Sequence, residues 1–327
     1  MDKQIRESAT PIHIAFCVND GYVPYITVTI KSIAENNRNA DIVIHILTDT
    51  FSVRTRKRLE AVVGEYDNIS LQIHEVDDTP LRGLKTGSYT IYTWYRVLLP
   101  HILPDDTDRV LYLDADTLVL DGLEALFATD MSDSSVASVV EDRTFDDYHY
   151  DRLGYSRDKH YVCCGVLLMN LDYWRKHGLT EKIVSWAQEH NDELLYPDQD
   201  AINYICSDTK ILLPLRYGIV QWFFTNDKFY DRPWLPQLEE CVENPAIVHY
   251  AYCVPWYKDV SRHLYFDRWI KYNGMLRHPV HRRYKSKGWL KLKLIVWNLI
   301  HLFEKRQYMT AESVRAKIDD IKKNRVL

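Results

Sequence analysis

Asp-x-Asp occurs three times in this chain, at Asp106/Asp108, Asp114/Asp116 and Asp198/Asp200, and the neighbouring residues separate solvated acids from acids that could do chemistry. In an extended backbone, side chains at i and i+2 point the same way, so each pair can offer two carboxylates to one point. Such a pair suits a hard divalent cation that keeps open positions for diphosphate oxygens and neutralises the charge growing on a leaving nucleotide. Asp106/Asp108 stands in a polar turn and reads as a solvated loop. Asp114/Asp116 follows Val110-Leu111-Tyr112-Leu113 and precedes Leu118-Val119-Leu120, so its carboxylates are wedged between buried strands and need a counter-cation. A structural hydrogen-bonding pair is the alternative. Asp198-Gln199-Asp200 opens a helical stretch, where the positive terminus favours carboxylates.

Positioning these groups requires a sheet. Ile12 to Val18, Ile42 to Leu47, Ile69 to His74 and Arg109 to Leu113 read as strands, with helical patterns at Val23 to Asn36, Val53 to Tyr66 and Thr90 to Leu103. That alternation predicts a parallel sheet covered by helices, with ligands beyond the carboxyl ends of the strands. Asn19-Asp20-Gly21 and Asp114-Ala115-Asp116 occupy those ends. A strand at Ser135 to Val140, an acidic aromatic loop from Glu141 to Asp158 and the apolar run Val162 to Leu171 follow. Leu179 to His190 reads as an amphipathic helix, and Leu212 to Tyr257 as short aromatic strands and turns.

With 327 residues, 46% of them hydrophobic, the chain can bury one large α/β core with an appendage. Its 41 basic and 46 acidic residues leave nothing in the total charge that suggests nucleic-acid binding. Residues 1–11 lack a secretory signal and no apolar run is long enough to span a membrane, which predicts a cytoplasmic protein. The six cysteines form no C-x-x-C pair, so neither a zinc knuckle nor a redox motif is indicated. The 23 tyrosines and 9 tryptophans suit stacking on sugar faces, although a large core uses rings as well.

Arg109 to Leu120, reading RVLYLDADTLVL, resembles the metal-binding segment of family 8 glycosyltransferases, which include bacterial lipopolysaccharide galactosyl- and glucosyltransferases. Further matches follow in the family's order: Tyr22, Tyr95-Arg96, Gly165-Val166-Leu167-Leu168-Met169-Asn170, Asp198-Gln199-Asp200, and His249-Tyr250 with Pro255-Trp256. Together they cover roughly residues 12 to 260. The resemblance implies a GT-A type nucleotide-diphospho-sugar transferase of the α/β class, with a single mostly parallel twisted sheet flanked by helices. It implies Asp114, Asp116 and His249 as metal ligands, a mixed set that fits manganese, with magnesium as the alternative. Cys17, Asn19 and Tyr22 would receive the nucleotide, Tyr22 stacking on the base. Arg96 would reach the donor sugar and diphosphate, with Ala115 between the carboxylates also at the donor. Asp198 and Gln199 would lie beside the sugar as the catalytic pair. A carboxamide is a poor nucleophile, which favours same-face attack by the acceptor hydroxyl; double displacement would need Glu141 or Asp198 as nucleophile.

Three positions depart from the family pattern. Asn19 stands where an aspartate is frequent, and Cys163 where an asparagine touching the sugar is common. The late motif, commonly His-x-x-Gly-x-x-Lys-Pro-Trp, reads HYAYCVPW, with Tyr252 at the glycine and no lysine. Lys258, just downstream, reads either as its substitute or as a solvated lysine.

From His281 to Arg306 there are eight Lys/Arg and one acid, and apolar positions 292, 295, 296, 299, 302 and 303 share one helical face. Such a helix lies in a membrane interface with its cations on anionic headgroups, or docks on its own domain. Residues 310–323 read as a charged, largely solvated helix. The expected organisation is a polar leader (1–11), a catalytic domain (12–275) and a basic amphipathic tail (276–327). The expected function is manganese-dependent, retaining transfer of glucose or galactose from UDP-glucose or UDP-galactose to a saccharide, a lipid-linked one or a lipopolysaccharide core, at the inner face of a membrane. A weakly catalytic nucleotide-sugar-binding module and a nucleotide-sugar hydrolase are the competing readings.

Overall fold

Runs rich in Ile, Val and Leu build the strands because branched side chains pack well on a pleated, buried surface. In the computed structural model, which describes residues 10–141, 147–231, 233–259, 263–288 and 309–325, they form β1 (Ile12–Cys17), β2 (Ile42–Thr48), β3 (Ile69–Glu75) and β4 (Arg109–Leu113). Later strands are β5 (Thr117–Val119), β6 (Val136–Ser138), β7 (Val166–Asn170), β8 (Lys210–Leu212) and β9 (Ile247–His249). One sheet runs β3-β2-β1-β4-β7-β6-β8, and β5 with β9 makes a separate two-stranded ribbon. The large sheet is mostly parallel: β7 alone runs antiparallel to its neighbours β4 and β6. After β1 the chain extends the sheet one way through β2 and β3, then returns to the other side of β1 as β4. The strand order therefore reverses between β1 and β4, where an open α/β sheet forms its binding crevice.

Helices Val23–Asn36 and Val53–Val63 lie where the sequence predicts them. The expected helix Thr90 to Leu103 is two pieces, a 3-10 segment Ile91–Leu98 and a short helix Leu99–Ile102, because Pro100 lacks the N–H that would continue a single ladder and is tolerated only in a first turn. Between Leu212 and Tyr257 the expectation of strands and turns misses two helices, the short Gln221–Thr225 and then Leu235–Glu243, with Pro236 in its first turn. Its buried residues Leu235, Leu238, Cys241 and Val242 follow helical spacing.

The tail divides in two. The amphipathic segment 292–303 lies outside the described residues. Helix Ala311–Arg325 is largely solvated, as expected, yet it is docked along one edge: Val314 and Ile318 are 2% exposed, and Arg315, Lys317 and Lys322 pair with Glu243, Asp227 and Glu239. Two apolar residues one turn apart suffice to seat it. Among the described residues no helix is long and apolar enough to cross a membrane.

Three adjacent strands carry a chain of histidines. His13 Nδ1 lies 2.9 Å from His45 Nε2, and His45 Nδ1 lies 3.0 Å from His74 Nε2. His45 is fully buried; burial first, then His13 and His74, push its pKa down to about 3. The folded protein therefore resists a proton that the unfolded chain accepts near 6.5, and stability is lost as pH falls below that value. By pH 4 this residue alone should cost about 3 kcal/mol. Urea titrations from pH 7 to 4 should show that slope in the wild type and a flatter one in His45→Leu; parallel slopes would refute the assignment.

Candidate active site

The chain leaves β4 at Leu113 and turns at once, Asp114 O accepting from Thr117 N (3.2 Å) and Thr117 Oγ1 (2.9 Å). This turn, rather than the pleat of an extended strand, brings the carboxylates of Asp114 and Asp116 together. β5 then pairs antiparallel with β9, setting Thr117 opposite His249, and Tyr250 N donates to Asp116 O at 2.8 Å. His249 Nε2 reaches 3.2 Å from Asp116 Oδ1 and 3.7 Å from Asp114 Oδ2. One ligand atom from each of the three residues lies within 4.8 Å of the others.

Several contacts hold this cluster. The Tyr112 hydroxyl donates to Asp114 Oδ1 at 2.7 Å, and Cys163 Sγ sits 3.4 Å from His249 Nδ1, on the far side of the imidazole from the carboxylates. Cys163 thus supports the histidine as well as facing the cavity. Gly165 matters through what it lacks: a Cβ there would fall 2.2 Å from His249 Cε1. Gly165→Ala must displace the imidazole, and because groups that orient metal ligands typically govern affinity 10–100-fold, it should weaken manganese binding by roughly that factor. Calorimetric titration of Mn2+ checks this; an unchanged affinity would show that His249 is not a ligand.

Arg96 is the hub behind the carboxylates. Only 4% exposed, it donates from Nη2 to Asp114 Oδ1 (3.2 Å), from Nε to Thr93 O (3.0 Å) and from Nη1 to Cys164 O. Its Nε also lies 3.0 Å from Asp198 Oδ2, and its guanidinium covers the Tyr112 ring at 4.1 Å. Burial alone would depress its pKa, but Asp198, Tyr112 and Asp114 raise it well above the ordinary value. Burial pushes Asp198 the other way, up to about 6 despite Arg96. Apart from the Arg96 guanidinium, Asp198 Oδ2 meets no hydrogen-bond donor among the described residues.

Gln199, next on the helix Pro197–Ile205, is fixed at both ends of its amide. Oε1 accepts from Cys164 N at 2.9 Å, and Nε2 donates to Glu141 Oε2 at 2.6 Å and the Tyr161 hydroxyl at 3.2 Å. Asp200, the third residue of the motif, is structural: it holds Arg152 through both oxygens and accepts from the Tyr161 hydroxyl and two backbone N–H groups. Asp108 remains half-exposed in its turn.

Asp114, Asp116, His249, Arg96, Asp198 and Gln199 face one cavity of ≈ 510 Å³, which is also lined by Cys17, Asn19, Tyr22 and Ala115. Asn19 Oδ1 accepts from Gly21 N at 2.9 Å, shaping the loop. Tyr22 is 44% exposed, and its ring meets Tyr25 and Trp256 edge-on while those two stack at 3.9 Å. Burial raises the Cys17 thiol far above its usual range, leaving it neutral. Lys258 places its ammonium over the Tyr284 ring, while the lysine among the residues lining the cavity is Lys285. The chain at 283–286 returns to 256–259, with Lys258 N donating to Arg283 O and Lys285 N to Asp259 Oδ1, a placement that no sequence spacing announces. The sequence reading gave no site role to Tyr112 or Tyr89, and it marked Gly165 and Tyr252 only as motif positions. Tyr112 was detectable, since i and i+2 share a side in a strand.

Two carboxylates and an imidazole, converging at the rim of a cavity, fit a divalent first-row cation. Burial would lower the pKa of His249, yet Asp116 and Cys163 raise it well above its ordinary value, so the site calls for a positive charge where a cation would sit.

Comparison with known proteins agrees with this geometry. The model described as Glycosyl transferase family 8 matches residues 13–259. General stress protein A of Bacillus subtilis is 25% identical over 270 residues, 80% of this chain and 92% of that protein. A lipopolysaccharide 1,2-glucosyltransferase of Escherichia coli is 25% identical over 229 residues, 67% of each chain. The galactosyltransferase LgtC, solved with donor and acceptor sugar analogues, superimposes with a TM-score of 0.72 and 26% identity over 82% of this chain and 97% of its own.

Proposed function

We propose, from the premise that this chain belongs to glycosyl transferase family 8 and is a glycosyltransferase, that it moves glucose or galactose with retention from a UDP-sugar to a saccharide acceptor in a manganese-dependent reaction. The observation that carries this reading is the convergence of Asp114, Asp116 and His249 with Arg96, Asp198 and Gln199 on one cavity. Magnesium is the alternative cation. A cation held by the first three residues would neutralise charge on the diphosphate as the bond to the sugar breaks.

The chain's own residues account for the rest. Tyr22, exposed beside the stacked Tyr25–Trp256 pair, offers a ring to the base, while Cys17 and Asn19 line the adjoining loop. Arg96 locks Asp114 and Asp198 in place, and Ala115 lets the sugar pass close to the backbone. Asp198 lines the cavity beside Arg96, where its carboxylate suits a donor-sugar hydroxyl. Gln199 has its amide committed to Cys164, Glu141 and Tyr161, which supports a positioning role and disfavours it as a nucleophile. Glu141 in turn is tied to that amide. Same-face attack therefore fits best: the acceptor hydroxyl attacks the anomeric carbon as UDP departs, and a phosphate oxygen takes its proton.

The test is UDP release from a panel of UDP-sugars, with and without Mn2+, without acceptor, following the anomer liberated. Slow, Mn2+-dependent release from one hexose donor, giving the α-anomer first, supports the transferase and identifies its donor. UDP binding without turnover of any donor would favour a binding module, and fast acceptor-independent release a hydrolase. No UDP binding would refute the site.

The acceptor we propose is lipid-linked, because the basic tail would hold the enzyme on an anionic membrane surface, the cytoplasmic inner face. Exchange of Lys291, Lys293, Lys305 and Arg306 for Gln should weaken co-sedimentation with phosphatidylglycerol vesicles by more than about tenfold, at about 1 kcal/mol per cation. Equal sedimentation of the variant would contradict the assignment.

A further inference from the structure

A second group of rings lies in the same cavity, separate from the Tyr22–Tyr25–Trp256 set. Tyr252 is 54% exposed and Tyr89 39%, and their hydroxyls are 3.4 Å apart. Both line the cavity with Glu141, Gln199 and His249, so they stand at its mouth. The backbone at Tyr252 has φ +63°, a left-handed conformation that glycine adopts freely and a bulky L residue rarely does. The loop is held there from both sides: Tyr250, fully buried, donates from its hydroxyl to Tyr265 O at 2.8 Å, and Cys253 N donates to Tyr250 O at 2.6 Å.

A residue kept in an unfavourable conformation with more than half of its surface exposed adds little to the core. Strain of this kind gathers at ligand-holding positions. Trp222 backs the ring at 6.4 Å between centroids, and more than half of the Tyr252 surface stays exposed. The apolar C–H face of a pyranose matches such a ring, with its hydroxyls left to polar neighbours. Tyr22, which lines the cavity with Asp114 and Asp116, is claimed by the base under the reading above, and Tyr89 shares the cavity wall with Tyr196 and Glu141. The remaining sugar in the reaction is the acceptor's.

We propose that Tyr252 is the specificity-determining platform on which the acceptor's sugar ring stacks, with Tyr89 holding the platform through its hydroxyl. This rests on the donor reading given above, and its test reports on the two separately.

The experiment compares wild type with Tyr252→Gly, which the backbone at φ +63° accommodates, and Tyr252→Phe, which keeps the ring and removes the bridge to Tyr89. The donor reading is followed by UDP affinity in Mn2+. The acceptor reading is followed by acceleration of UDP release from the donor by a panel of octyl glucosides, octyl galactosides and lactose. Tyr252→Gly should bind UDP within twofold of wild type yet show an apparent KM for the accelerating glycoside about tenfold higher, while Tyr252→Phe stays within threefold. Three results would overturn the proposal: no panel glycoside accelerating the wild type, equal KM in Tyr252→Gly, or UDP affinity lost with the ring, which would place Tyr252 in the donor site.

Discussion

Asp116→Asn should abolish Mn2+-dependent UDP binding and lower hexose transfer by about 10³-fold while leaving the fold intact. The side chain is 18% exposed, and asparagine has nearly its shape. The contact that ties this turn to β9 uses the backbone oxygen of Asp116, which accepts from Tyr250 N, so the ribbon survives the exchange. What is lost is a full negative charge 3.2 Å from His249 Nε2, and with it an anionic ligand that a neutral amide replaces poorly for a hard cation. Chelation of the wild type should reproduce the phenotype and added Mn2+ reverse it, whereas the variant should not respond. Calorimetry with UDP in Mn2+ and in EDTA decides the matter: wild-type-like binding in Asp116→Asn would remove the metal assignment, and a large drop in melting temperature would make the residue structural.

Arg96→Met should cost about 3–5 kcal/mol of stability together with the activity, the usual penalty for removing one partner of a buried ion pair. The guanidinium balances both Asp114 and Asp198 and donates to the backbone oxygens of Thr93 and Cys164. Methionine fills the space and leaves two carboxylates and two carbonyls without that donor. Lysine keeps the charge yet has no planar fork for partners in several directions, so Arg96→Lys should fall between. Pairing Arg96→Met with Asp198→Asn removes one stranded charge and should restore part of the stability without restoring turnover. Urea unfolding of the four proteins measures the first effect and UDP release the second. A loss of activity in Arg96→Met with unchanged unfolding would show that its role is confined to substrate.

The strand-helix alternation of the first 120 residues was legible because each element carries its own period and its own apolar face. Asp114 and Asp116 were legible for the same reason, being two acids between apolar runs that bury their surroundings. The route by which they converge was not: extended alternation and a turn predict the same meeting of carboxylates, and only the bond from Thr117 N to Asp114 O distinguishes them. The docking of helix Ala311–Arg325 was missed because a sparse apolar pair on a charged helix becomes informative only once its partner surface is known.

His249 stands more than 130 positions from Asp116, and its own neighbourhood singles it out from no other histidine. Its place at the site is the product of β5–β9 pairing, a long-range backbone register that local periodicity does not encode. Gly165 is similar, since its missing side chain has meaning only against an imidazole packed from another strand. Lys285 lines the cavity wall where Lys258 does not, because chain return, not motif spacing, decides which ammonium reaches it. Residue type and local period, which are properties of the chain alone, determined the fold class, the carboxylate pair and the chemistry it can serve. Burial, register and close approach are relations between distant segments, so tertiary structure decided how His249 and Arg96, which the motif resemblance had picked out, meet the acids, and which tyrosine stands at the cavity mouth.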